Sequence, residues 1–259
     1  LEYALRALHA ARRLKGLALG VLCYADEGRD CEESAPTIVK AVTEAREVLV
    51  LRPGNADDAV VTGRRGQRRY RAFFQGKSRK LGQADPQTEV MPRALAALED
   101  VSRLSSRKDR LAVATVDIRA EAYPRLLPHR VVATLQVSFP NKRAADMLEK
   151  AIAERLVQGQ AELAMLSDRP AMPARTPNQA LVKRLREVAE AWGIPVNTEA
   201  SLWPSVAGLV PPQVPVVCGL GPVAQGLHTG REAVSRISLV QRSLLLAQFL
   251  LAQSAGSDS

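Results

Sequence analysis

The chain has 259 residues, 46% apolar and 24% charged, with a formal net charge of +9 and a pI of about 9.9. That is ordinary soluble globular composition, long enough for two domains, and no apolar run of about eighteen residues suggests a membrane span. The basic balance raises the question of nucleic acid. Its densest cluster is Arg64, Arg65, Arg68, Arg69 and Arg71. Aromatic residues are only 4% of the chain and no recognisable reading module surrounds the cluster, so it reads as a hairpin with a solvated basic face.

The chain opens in a helix, with Leu1, Ala4, Leu5, Leu8, Ala11 and Leu14 at three- and four-residue spacing. Opening inside an element, without an initiator Met or a cap, points to residues upstream. An apolar strand over Leu17–Tyr24, an acidic loop over Asp26–Ser34, a helix over Ala35–Arg46 and a strand over Val48–Leu51 follow. Ser34 caps that helix in this reading and Pro36 sits in its first turn. Strand, crossover helix and strand predict a mainly parallel sheet with helices on both faces.

The pattern then changes. Strand material from Ala59 to Gln75 precedes a helix (Glu89–Leu104), two strands (Leu111–Glu121, His129–Phe139), a helix (Ala144–Leu156) and a strand (Ala161–Asp168). This is the split arrangement of a ferredoxin-like α+β domain. After a Pro-rich hinge the first pattern returns, with a helix (Asn178–Trp192), strands (Ile194–Thr198, Val214–Cys218), a Gly-rich turn and a core helix after Ser235. The expected organisation is an α/β domain over 1–62 and 171–259, interrupted by an inserted domain over 63–170.

Cys23, Cys31 and Cys218 have neither an even count nor metal-finger spacing, and no secretory signal precedes them. A reducing cytoplasm and free thiols are expected, with Cys23 and Cys218 as small buried hydrophobes. Trp192 and Trp203 read as packing anchors, and His9 and His129 as structural.

One stretch is more specific. Val216-Val217-Cys218-Gly219-Leu220-Gly221-Pro222, followed by His228-Thr229-Gly230-Arg231-Glu232, resembles the C-terminal strand, Gly-rich loop and zinc-binding His of a known hydrolase family. That family comprises zinc-dependent aminoacylases, acetylornithine deacetylases, succinyl-diaminopimelate desuccinylases and carboxypeptidase G. Tyr24–Ser34 resembles its loop of catalytic carboxylates, Leu49–Pro53 its ligand-bearing strand end, and Gly63–Gly76 the first strands of its lid. The resemblance implies a metallopeptidase-type amide hydrolase acting on an N-acyl amino acid or small peptide. It further implies two zinc ions, a ferredoxin-like lid and a homodimer through that lid.

Departures from the pattern qualify the expectation. The family's early His and bridging Asp would lie upstream of Leu1. Its acidic pair reads Asp26-Glu27-Gly28. Either Glu27 is the general base and Gly28 has replaced a ligand, or Asp26 is the base and Glu27 the ligand. The later acid falls on Arg52, which cannot ligate zinc. Arg52 is instead expected to pair with Glu27 or Asp26 and stand in for a zinc ion electrostatically. His228 and Glu27 remain the candidate metal ligands, and Gly219, Gly221, Arg52 and Lys80 the candidate substrate-binding residues. Arg125 and Ser138 fall where the family places substrate-binding polar residues. The resulting expectation is an amide hydrolase with a degenerate dinuclear zinc site, or else a metal-free, non-catalytic binding or biosynthetic partner.

Overall fold

The computed structural model describes residues 1–54, 59–85 and 88–255, with side chains as far as 253. In chain order the elements are α1 (Glu2–Ala10), α2 (Ala35–Thr43), β1 (Val48–Val50), β2 (Ala59–Arg64), β3 (Gly66–Gln75), α3 (Val90–Ser102), β4 (Ala112–Glu121), β5 (Arg130–Phe139), α4 (Lys142–Gln158), β6 (Ala161–Arg169), α5 (Thr176–Glu190), β7 (Asn197–Ser201), β8 (Val216–Cys218), β9 (Ala224–Gln225), β10 (Ala233–Val234) and α6 (Arg236–Ala255). They fall into two compact units. One comprises Leu1–Arg64, Met172–Leu202 and Val206–Ser259, the other Arg65–Ala171 and Trp203–Ser205.

The first unit is built on a four-stranded sheet in the order β1-β8-β2-β7. β1 runs parallel to β8, and β2 parallel to β7, but β2 meets β8 antiparallel through Val61 and Cys218. The sheet is therefore mixed, and the connection length explains why. A parallel return needs a crossover of about a dozen residues or more, and only residues 51–58 join β1 to β2. Alternation along these strands supplies two apolar faces. Val50, Val61, Val216 and Cys218 pack with Ile38 of α2, Val206 and Val210. Val60 and Val217 pack on the other face with Leu181 and Leu185 of α5 and Leu245 and Phe249 of α6. The fully buried Asn178 ties α5 to the sheet by accepting the Val216 N–H at 2.9 Å. At one end, Ala4 and Leu8 of α1 close against Leu246, Ala247 and Leu250 of α6.

Several expectations for this unit need correction. Residues 17–24 form no strand, and Leu19, Val21 and Leu22 are exposed. An apolar run becomes a strand only by pairing, and the single ladder of the three-residue β1 goes to β8. Cys23 is consequently exposed, whereas Cys31 and Cys218 are buried. Trp192 is exposed too, as is Trp203 of the second unit, and so neither is buried in a core. Ser34 makes no side-chain cap at α2, although Pro36 does occupy its first turn.

The second unit is an antiparallel sheet in the order β4-β5-β3-β6. Tyr70, Ala72, Phe74, Leu135 and Val137 supply its apolar face, which α3 and α4 cover with Leu98, Val101, Leu148, Ile152 and Leu156. The arginine cluster does not form a solvated face. Arg68 is only 5% exposed and lies among Asp146, Glu149 and Asp168 at 2.9–3.1 Å. Arg65 donates to Ser138 on β5 at 2.8 Å. Within the first unit, Arg64 is buried and donates to Ser201 at 3.1 Å. Only Arg69 and Arg71 of the five are exposed, because alternation along β3 turns Arg68 to the covered face.

Candidate functional site

The site lies in the first unit, where the chain leaving β1 meets the loop after β8. Arg52 follows β1 by two residues, and Glu27 begins a single 3-10 turn, Glu27–Arg29. Arg52 Nη1 lies 2.6 Å from Glu27 Oε1, with 18% and 31% of the respective side-chain surfaces exposed. The expected pairing of Arg52 with an acid of this loop is thus present, and Glu27 is the partner. A charge-assisted pair with this partial burial is stronger than a surface ion pair.

Asp26 is used differently. Its Oδ2 accepts the backbone N–H groups of Glu33 at 3.0 Å and Ser34 at 2.9 Å, tying the acidic loop to the start of α2. The Ser34 side chain, together with the Ser34 and Glu33 amides, holds the Asp26 carboxyl below the usual carboxylate range. Those bonds favour an ionised anchor over a proton acceptor poised near neutral pH. The two acids of the pair are thus engaged differently, Asp26 by backbone amides and Glu27 by Arg52.

Tyr24 is a member the sequence reading did not single out. Burial pushes its phenol up to about 12, helped by Cys31, Glu27 and Cys218 and opposed by Arg52. It therefore stays protonated well above neutral pH. The signal was weak: one tyrosine bordering an acidic loop. Cys31 is buried, and it and Asp30 both take left-handed backbone with φ near +60°. A shallow depression of about 430 Å³, lined by Tyr24, Asp26, Arg29, Ser34 and Ile38 among others, opens beside this loop.

The glycines do packing work. A Cβ on Gly221 would lie 2.6 Å from the Arg52 carbonyl oxygen and 2.8 Å from that of Leu51. The Gly221 N–H donates to Arg52 O at 2.8 Å, so it is not available to a substrate anion. Gly219 takes φ +76° and packs on Val61. Together they let the loop after β8 clasp the chain carrying Arg52.

His228 is exposed at the tip of the β9–β10 hairpin with φ +64°, its N–H donating to Glu232 Oε2 at 3.0 Å. Lys80 belongs to the second unit, where it bridges Leu126 and is exposed. In that unit Ser138 accepts from Arg65, and Arg125 takes φ +64°. His9 is exposed on α1, and His129 stacks on Tyr123 at 4.7 Å.

Among the described residues, no group of three or more His, Cys, Asp and Glu side chains could hold a metal ion. The expected ligands His228 and Glu27 therefore join no such set, and the zinc implied by the resemblance does not fit this donor set. Glu27 faces a guanidinium, and Asp26 gives Oδ2 to two backbone amides while its buried Oδ1 has no hydrogen-bond partner among the described residues.

With this geometry established, comparison with known proteins is informative. The fold is one that solved peptidases and amidohydrolases share. A tripeptidase from Staphylococcus aureus superposes with a TM-score of 0.71 at 15% identity, over 85% of this chain and 60% of its own. Aminopeptidase PepT from Bacillus cereus gives 0.65 at 16% identity, over 87% and 62%. An aminobenzoyl-glutamate utilization protein from Klebsiella pneumoniae gives 0.62 at 15% identity, over 82% and 56%. The chain thus spans about three fifths of the length of these neighbours. No protein-family model matches the sequence, and neither does any curated protein. No helix among the described residues is long and apolar enough to cross a membrane.

Proposed function

We propose that the protein is an amide-bond hydrolase of the peptidase and amidohydrolase kind, acting on an N-acyl amino acid or small peptide at a cleft built around Glu27 and Arg52. The fold shared with the tripeptidase and aminopeptidase PepT supports the reaction class. The Arg52–Glu27 ion pair supports the location and is the observation that carries this reading. Glu27 would accept a proton, Arg52 would orient it and meet an anionic group of the substrate, and the Tyr24 hydroxyl would donate beside them. No step is assigned to zinc, because the donor set does not fit it.

The same proposal takes the Arg65–Ala171 unit as a lid and dimerisation domain and the setting as cytoplasmic. The edge position of β4, with Val116 and Ile118 exposed along it, favours pairing between two copies.

The test is a hydrolysis screen of di- and tripeptides and N-acyl amino acids, run with and without added zinc. Turnover that falls by about a hundredfold or more in Glu27→Gln supports hydrolysis at this cleft. A metal-free binding protein is the second reading, favoured by the Arg52–Glu27 pair itself, which neutralises the carboxylate. Ligand-induced stabilisation without turnover would establish that reading in place of hydrolysis.

A further inference from the structure

We propose that Arg52 is a built-in countercharge that keeps divalent metal off Glu27, making this a metal-excluding carboxylate site. Zinc ligated by a carboxylate sits about 2.0–2.2 Å from its oxygen. Arg52 Nη1 is already 2.6 Å from Glu27 Oε1, so a cation bound there would face a guanidinium at close range. The arginine is fixed rather than loosely swung in. Its side chain is only 18% exposed, and its carbonyl oxygen is held by the Gly221 N–H at 2.8 Å. Gly221 admits no side chain against that backbone, so the strand end cannot easily withdraw.

The donors around Glu27 point the same way. Asp26 spends Oδ2 on two backbone amides, and Glu32 and Glu33, further along the loop, pair with Arg29 at 3.9 and 3.0 Å. Among the described residues no third ligand converges on Glu27. The guanidinium supplies a positive charge against a partly buried carboxylate, the place a metal would otherwise fill. This inference goes beyond the hydrolase reading and can fail separately from it.

Zinc content and affinity measured on the whole chain, by competition with a chromophoric chelator, test it. The variants are Glu27→Gln, Arg52→Gln and the double substitution. The wild type and Glu27→Gln should both retain essentially no zinc. Arg52→Gln, which removes the positive charge that repels a cation from the carboxylate, should raise zinc affinity about tenfold or more, and the double variant should lose that gain. Bound zinc in the wild type that Glu27→Gln releases would overturn the inference, as would an Arg52→Gln variant indistinguishable from wild type. Should Arg52→Gln not fold, the wild type against Glu27→Gln decides alone. Zinc in the wild type would leave the hydrolase reading standing, while absence of both zinc and turnover would remove only that reading.

Discussion

Gly221→Ala tests how packing sets the site. The added Cβ would meet Arg52 O at 2.6 Å, Leu51 O at 2.8 Å and the Arg52 carbonyl carbon at 2.9 Å. All three are backbone atoms, so relief requires a shift of about half an ångström in the chain leaving β1 or in the loop after β8. Overpacking of this kind costs about 1–3 kcal/mol. The Gly221 φ lies outside the left-handed range, so alanine recovers about 0.5–1 kcal/mol through the unfolded chain. A net loss of about 1.5 kcal/mol remains, which for a unit of this size lowers its melting temperature by about 3–6 °C. Differential scanning calorimetry reads this directly, with Gly28→Ala as the control. A Cβ at Gly28 would meet nothing within 4 Å, so that variant should melt within about 1–2 °C of wild type. If Gly221→Ala also melts within about 1 °C, the close approach between these two segments is not a constraint and the fixed position argued for Arg52 fails.

Four further outcomes are expected. Arg68→Met should destabilise the second unit by about 2–3 kcal/mol, read by urea unfolding: it strands Glu149 and Asp168 without their shared cation, and their exposure of 38% and 35% discounts the full buried-pair cost. A loss below about 0.5 kcal/mol would make that network ornamental. Because the Asp26 carboxyl is held low, its contribution is present above the ordinary carboxylate range and lost as pH falls through its lowered value. Amide protection factors at the start of α2, corrected for intrinsic exchange, should therefore fall at acid pH in the wild type and be low already at neutral pH in Asp26→Asn. Tyr24, raised from 10.0 to about 12, favours the fold fully below pH 10 and loses that contribution as pH climbs through about 12. Ultraviolet titration should show late phenols, of which Tyr24→Phe removes one and leaves that of Tyr70, which burial also raises. Thiol labelling of the native chain should modify Cys23 promptly and leave Cys31 and Cys218 slow until denaturant is added, with equal rates contradicting their burial.

Helix and strand placement was largely legible because it rests on local periodicity. The spacing behind α3, α4, α5 and β3–β6 put each within a few residues of its observed bounds. Residues 17–24 mark the limit of that reasoning. Their apolar run reads as a strand, yet a strand is a relation between two segments, and among the described residues none pairs with it. Arg64, Arg65 and Arg68 failed for the same reason, since a run of arginines looks solvated until distant Ser201, Ser138, Asp146, Glu149 and Asp168 meet them.

The site divides along the same line. By itself the sequence determined which chemistries were open, because an arginine at position 52 cannot ligate metal and the acids of the 26–34 loop can accept protons or cations. Only the tertiary structure decided how those acids are used. Asp26 turns to the amides leading into α2, Glu27 turns to Arg52 across 25 positions of sequence, and Gly221 closes on the Arg52 backbone from the far end of the chain. Charge type is written residue by residue, whereas the partner of a charge is fixed by which strand ends the sheet brings together.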